Sequence, residues 1–272
     1  LFNSLALKKV EEANRKLVFK MQVQKIRNLF WEFLPGKFTV RAKIGEIEFL
    51  YVTDRRDAFL KQALIYKLSK LEKDSLKRWI EALRHGGIGI DVGAYTGIYS
   101  LAGAISGATL IKSFEPNLML KQYLLRNIEV NEMKDKIEVI SNAVGDVAQR
   151  ITMFAPAGTF FPKGKLTGTG VTAKSLNRRQ QPKYLVPLLN TTCTTLDGEV
   201  TTSQRAQIRA IKIDVEGMEL EVLRGAKEIL TQTRPLLIVE ALENEAEIEI
   251  RNLLNTVGYT KYLRFGKNLV CS

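Results

Sequence analysis

The chain has 272 residues, 45% of them hydrophobic, enough for one large domain with a buried core or for a domain with an appendage. Its 41 Lys and Arg against 29 Asp and Glu give a formal charge of +12, which suits an anionic partner and says nothing about fold. Two cysteines without C-x-x-C spacing and a single histidine, His85, argue against a structural zinc site and a disulfide framework, and no apolar run reaches the length of a membrane span. A reducing, cytoplasmic setting is therefore expected, no signal peptide is read at Leu1, and no residue is assigned to a metal.

Residues 1–34 read as a helix. Phe19, Val23, Ile26, Phe30, Phe33 and Leu34 recur at helical steps, and Pro35-Gly36 ends the pattern. Packing on the domain, or on a second copy as a homodimer, is the favoured role. Its excess of Lys and Arg leaves a second reading, peripheral contact with a membrane surface. "KFTVRAKIGEIEFLYVT" alternates around Gly45 as a hairpin, and residues 57–84 return to helical spacing. Residues 1–85 thus form an N-terminal extension, and 86–272 the main domain.

From residue 88 strands and helices alternate. "GIGIDV", "TLIKSF", "KIEVISNAV", "IRAIKID" and "PLLIVEAL" read as strands. "TGIYSLAGAISG", "NLMLKQYLLRNIEVN", "MELEVLRGAKEIL" and "EAEIEIRNLLNTVG" read as helices. That rhythm predicts an α/β fold, a doubly wound and mostly parallel Rossmann-like sheet. "YTKYLRFGKNLVCS" reads as two strands around Gly266-Lys267, so the last strand runs antiparallel. Residues 156–186 break the pattern. They are rich in Gly, Pro, Thr and Lys, with Lys163, Lys165, Lys174, Arg178, Arg179 and Lys183 facing no acid in the stretch, and read as a basic insertion or lid that serves an anionic acceptor, or as a solvated loop.

In such sheets ligands bind beyond the carboxyl ends of the strands. Asp91, Glu115-Pro116, Asn142-Ala143, Asp214-Val215-Glu216 and Glu240 all fall there. The turn "DVGAYTG" has Gly93 and Gly97 around Ala94, Tyr95 and Thr96, but Tyr95 and Ile98 stand where a dinucleotide fingerprint needs glycines, and no phosphate loop follows. The turn brings the carboxylate of Asp91 in place of extra amides. That suits a phosphate-free nucleoside carrying an ammonium group, S-adenosylmethionine, with Glu115 placed to take the ribose hydroxyls.

"IDVGAYTGIYSL", "FEPN", "NAVGD", "TTLD" and "IKIDVEGMELEVLRGA" resemble, in order and spacing, the successive motifs of the FkbM-type S-adenosylmethionine-dependent methyltransferases. The resemblance covers roughly residues 86–242. It implies a class I methyltransferase fold and O-methylation of a hydroxyl on a sugar, glycan or glycosylated metabolite. Carried over, it places Asp91, Gly93, Ala94 and Gly97 around the methionine, Glu115 on the ribose, and Asn142 with Ala143 beside the adenine. The family usually has Asn after Gly-Ala, where this chain has Tyr95; the departure bears on cofactor affinity.

The reaction needs a hydroxyl aligned with the methyl group and a base for its proton. Alternation along "IKIDVEG" sets Lys212, Asp214 and Glu216 toward one face, with Ile211 and Ile213 on the other. A lysine inside a parallel strand needs a carboxylate partner, and Asp214 and Glu240 are the candidates. Asp214 is the expected base, with Glu216 and Glu240 tuning it. The competing reading has Asp214 and Glu216 orienting the cofactor amine. Two further classes stay open: an RNA or DNA methyltransferase, and a catalytically inactive interaction protein on the same fold. Against nucleic acid, "DVEG" replaces the Asn-Pro-Pro-aromatic run of amino-methylating DNA enzymes, Cys193 reads as a strand residue, and the basic stretch lacks interleaved aromatics.

Overall fold

Alternation around Gly45 makes an antiparallel hairpin, β1 (Lys37–Ile44) and β2 (Ile47–Asp54), in the computed structural model, which describes residues 37–54, 70–156 and 185–272. The helix expected over 1–34 and most of the basic stretch 156–186 lie outside these residues. Then follow α1 (Lys70–Leu83), β3 (Ile88–Val92), α2 (Ile98–Ser106), β4 (Leu110–Phe114), α3 (Leu118–Val130) and β5 (Ile137–Ile140). Next are β6 (Ala143–Val144), β7 (Gln149–Pro156), β8 (Leu185–Thr194), α4 (Leu196–Glu199), α5 (Thr202–Arg205) and β9 (Ile208–Ile213). The chain ends with α6 (Glu219–Arg224), α7 (Lys227–Thr233), β10 (Leu236–Glu240), α8 (Asn244–Thr256), β11 (Tyr262–Phe265) and β12 (Asn268–Cys271).

The central sheet has seven strands in the order β11-β12-β10-β9-β3-β4-β5. β5, β4, β3, β9 and β10 are mutually parallel, and β12 runs antiparallel to both of its neighbours, as the terminal glycine turn implies. This is the Rossmann-like, doubly wound arrangement. Each face carries its own core. Ile90, Val92, Ile211, Ile213, Leu237 and Val239 pack with Val222 and Leu223 of α6, Ile229 and Leu230 of α7, and Ile250 and Leu254 of α8. Ile111, Ala210 and Ile238 turn to the other face, where α1, α2, α3 and the hairpin residues Ile44, Phe49 and Tyr51 close over them. Among the described residues no helix is long and apolar enough to cross a membrane.

Three local expectations are corrected. "KIEVISNAV" is two strands, because Ser141-Asn142 leave the main sheet and Ala143-Val144 pair with Cys193-Thr194 of β8 in a second sheet, β6-β8-β7. "MELEVLRGAKEIL" is two helices. Gly225 meets the Gly145 carbonyl so closely that a Cβ there would overlap it, and Asp197 accepts the N–H groups of Glu228 (2.8 Å) and Ile229 (3.0 Å), starting α7 afresh. The ends of the 156–186 stretch, Pro156 and Leu185-Val186, are strand residues paired across β7 and β8.

Candidate functional site

β3 ends at Val92, and Gly93 to Gly97 swing the chain into α2. Gly93 (φ 80°) and Gly97 (φ 99°) both have left-handed backbones. A Cβ on Gly93 would collide with the Asp214 carbonyl, and one on Gly97 would lie 2.5 Å from Leu124 Cδ1. Tyr95 between them also holds a positive φ of 54°, uncommon for a bulky side chain. Four amides of the turn are already committed. Gly93 and Ala94 donate to the Phe114 carbonyl at 3.0 Å each, Gly97 to Ala94 at 2.8 Å, and Tyr95 to Glu115 Oε2 at 2.8 Å.

Glu115 follows β4 and is buried. Pro116 has no N–H, so the second carboxylate oxygen takes the Asn117 N–H at 2.8 Å. Burial pushes this carboxyl up to about 8 against the pull of those two amides. Asn117 caps α3 by accepting from the N–H groups of Met119 (3.0 Å) and Leu120 (3.4 Å). With its oxygen so held, the amide cannot flip, and its buried Nδ2 has no hydrogen-bond partner. Asp91, buried in β3, accepts from the Ser100 hydroxyl at 2.6 Å; burial raises it to about 6, with Ser100 and Lys212 opposing. Asn142 Nδ2 donates to Glu199 Oε1 at 3.3 Å, and Ala143 is buried in β6 beyond the β5 edge of the sheet.

A second group stands at the ends of β9 and β10. Lys212 lies opposite Asp91 in the β3–β9 register. Its buried ammonium donates to Asp214 Oδ2 at 3.1 Å and Asn268 Oδ1 at 3.2 Å, and lies 5.5 Å from the centre of the Tyr99 ring. The lysine has found the carboxylate its position demands. The Asp214 side chain is 37% exposed. Burial pushes its carboxyl up, but Lys212, a hydrogen bond from Glu240 and Lys267 outweigh that and hold it below the usual range. Glu240 goes the other way: burial first, then the charge on Asp214, push it to about 8, although Lys267 Nζ lies 3.4 Å away. These opposite shifts leave the pair holding one proton between its two carboxyls at neutral pH. Glu216 (φ 56°) brings a third carboxylate; one oxygen from each of Asp214, Glu216 and Glu240 lies within 4.8 Å of the others, so among the described residues this trio has the spacing to hold a metal ion.

The strand-end acids thus divide into a buried pair, Asp91 and Glu115, at the glycine turn and a more open trio at β9 and β10. The Gly93–Asp214 backbone contact joins the two groups. Residues that sequence reasoning passed over do much of the holding. Ser100 grips Asp91, Glu219 accepts the N–H groups of Val215 (3.2 Å) and Gly217 (3.1 Å) to set the Asp214–Gly217 loop, and Asn268 shares Lys212. Asn117 carried a readable signal, an Asn immediately before a helical run. Asn268 lies 56 positions from Lys212 and carried none.

A family model described as "Methyltransferase FkbM domain" matches residues 91–261. Among solved structures, a methyltransferase FkbM from Methylobacillus flagellatus KT is similar at 18% identity and a TM-score of 0.48, over 79% of this chain and 55% of that one. The chain here thus spans little more than half the length of that relative. Precorrin-6y C5,15-methyltransferase from Geobacter metallireducens GS-15 is similar at 9% identity and 0.43, over 75% and 89% of the two chains. An rRNA methylase from Streptococcus thermophilus is similar at 12% identity and 0.44, over 75% and 96%. A comparison with curated proteins gives no match.

Proposed function

Because the chain belongs to the methyltransferase FkbM family, we propose that it transfers the methyl group of S-adenosylmethionine to a hydroxyl of a sugar, glycan or glycosylated metabolite. The observation that carries this reading is the contact of Gly93 with Asp214. It sets a glycine turn flanked by the buried Glu115 directly beside the Asp214–Glu240 pair. The N–H groups of Gly93, Ala94, Tyr95 and Gly97 are all used within the protein and leave none of these four for a pyrophosphate, which favours a nucleoside without phosphates against the turn. The orphaned Nδ2 of Asn117, beside Glu115, is a donor awaiting an acceptor. In this reading Asp91, Gly93, Ala94, Thr96 and Gly97 surround the methionine end, Tyr95, Glu115 and Pro116 the ribose, and Asn142 with Ala143 the adenine.

When bound, S-adenosylmethionine supplies a methyl group already activated by its sulfonium. What remains for the protein is alignment and proton removal; alignment alone contributes about 7–11 kcal/mol in favourable cases. Asp214, ionised and open on one side, accepts a hydrogen bond from the acceptor hydroxyl and turns its oxygen toward the methyl group. The Asp214–Glu240 pair holds one proton at neutral pH and gives it up near pH 8, which leaves the pair a stronger base. Lys212 keeps the pair from carrying uncompensated charge in a buried place. The basic residues of 157–184, outside the described residues, are read as serving an anionic acceptor. Calorimetric titration with S-adenosylhomocysteine tests the cofactor half of this proposal. Binding with the affinity of a product supports it, and absence of binding contradicts it.

A further inference from the structure

We propose that the β1–β2 hairpin is a working part of the cofactor site, with Tyr51 and Asn127 as positioning residues that fix the glycine turn through Thr96. The inference rests on the cofactor reading above and adds to it an element that the family match, over residues 91–261, does not reach.

Thr96 is buried between two left-handed residues, Tyr95 and Gly97. Gly97 at the helix N-terminus offers no side-chain cap, so locally the turn has only backbone bonds, from the Gly97 N–H to the Ala94 carbonyl and from the Leu101 N–H to the Gly97 carbonyl, at 2.8 Å each. Side-chain support comes from elsewhere. The Tyr51 hydroxyl, on β2, is hydrogen-bonded to Thr96 Oγ1 in the interior. Asn127 Nδ2, on α3, donates to the Thr96 carbonyl at 2.8 Å and to the Val52 carbonyl at 3.2 Å, while its Oδ1 accepts the Val52 N–H at 2.6 Å. One amide thus ties β2 and the turn together. The next residue back from Thr96 is Tyr95, whose N–H ends on Glu115. A continuous path of hydrogen bonds and backbone therefore runs from the hairpin to the acid assigned to the ribose.

The structure also contains its own control. One helical turn beyond Asn127, Asn131 grips the same strand in the same way, accepting the Leu50 N–H at 2.8 Å and donating to the Leu50 carbonyl at 2.7 Å. Its amide holds the hairpin at Leu50, one strand position pair away from Val52, and its other bond goes to the Asn127 carbonyl. If the hairpin served only stability, loosening it at Asn131 and at Tyr51 would have like consequences.

The experiment compares Tyr51→Phe, Thr96→Val, Thr96→Ser and Asn131→Ala in the full chain. It reads S-adenosylhomocysteine affinity by calorimetry, melting temperature, and KM for S-adenosylmethionine against kcat. Tyr51→Phe keeps the buried ring and removes one hydroxyl. It should weaken S-adenosylhomocysteine roughly 3- to 10-fold, the worth of one ordinary hydrogen bond, raise KM for the cofactor in proportion and leave kcat unchanged at saturation. Thr96→Val should weaken affinity at least as much, since Thr96 is itself assigned to the methionine end, whereas Thr96→Ser, which keeps the hydroxyl bonded to Tyr51, should restore it and serves if Tyr51→Phe fails to fold; the double variant Tyr51→Phe/Thr96→Val should be no worse than Thr96→Val alone. Asn131→Ala should lower the melting temperature and keep cofactor affinity within about twofold, because it leaves both side-chain bonds to Thr96 in place. Unchanged affinity in a folded Tyr51→Phe overturns the inference, as does an equal loss of affinity in Asn131→Ala or, should Tyr51→Phe not fold, a Thr96→Ser as weak as Thr96→Val. Failure of the unaltered protein to bind S-adenosylhomocysteine contradicts the proposed cofactor itself, an outcome distinct from either.

Discussion

Replacing Glu115 by Gln probes the proposed cofactor site at a carboxyl that burial pushes well above its usual range. In the free protein the carboxyl is buried, holds two backbone N–H groups at 2.8 Å and titrates at about 8. At pH 7 it is therefore protonated in about nine molecules of ten. In the proposed complex two ribose hydroxyls would donate to it and favour the ionised form, so that binding would draw the proton off. Affinity for S-adenosylhomocysteine should rise about tenfold from pH 7 to pH 9 and then level, because the cost of deprotonation disappears once the free protein is itself ionised. Gln has the same shape but one acceptor oxygen in place of two, and no charge. The loss of one charge-assisted hydrogen bond costs about 1.5–3 kcal/mol, or roughly 10- to 150-fold in affinity at pH 9, and the pH dependence should vanish with the titrating group. Titration calorimetry at pH 7 and pH 9, in two buffers of different ionisation enthalpy, reads both the affinity and the proton released. Unchanged affinity in Glu115→Gln, or the same slope with pH as in the unaltered protein, would refute the assignment of Glu115 to the ribose.

Asp214→Asn should fold, bind S-adenosylhomocysteine within a few-fold of the unaltered protein and lose roughly 10²–10⁴ in kcat; a collapse of binding with kcat retained would make Asp214 a cofactor ligand instead. In the unaltered protein kcat should climb as pH rises through about 8, where the pair gives up its proton, and Glu240→Gln should abolish that rise. Gly93→Ala forces a Cβ against the Asp214 carbonyl on a left-handed backbone and should cost about 2–5 kcal/mol in urea unfolding. Neutralising Arg178 and Arg179 together should raise KM for an anionic acceptor and leave cofactor affinity alone; a loss of cofactor affinity would assign that basic stretch to the other half of the site.

The parallel sheet was legible because its strands are short apolar runs that alternate with helical periods. β3, β4, β9 and β10 fall inside the stretches read as strands. The break in "KIEVISNAV" was not, because nothing local tells that Ala143-Val144 find β-partners fifty residues on, at Cys193-Thr194. β7 escaped notice, and of β8 only Cys193 was read as a strand residue, because Thr, Asn and Pro interrupt their alternation. At the site, two-residue periodicity was enough to predict that Lys212 would need a carboxylate, and Asp214 is where it goes. It could not show that Asp91 would lie opposite Lys212 while Glu115 sits one strand further out, just past β4, since strand order rather than sequence sets which acids meet. Nor could it show the hairpin reaching the turn. Tyr51 and Thr96 are 45 positions apart, and their contact depends on how α3 holds β2.

The most direct test of the central claim incubates the protein with methyl-labelled S-adenosylmethionine and a pool of glycans and glycosylated metabolites, and follows where the label goes. The account predicts label in an alkali-stable methyl ether on a sugar hydroxyl, formed by the unaltered protein and reduced by at least two decades with Asp214→Asn. Label recovered on RNA or DNA, or at a nitrogen or carbon atom, would contradict it.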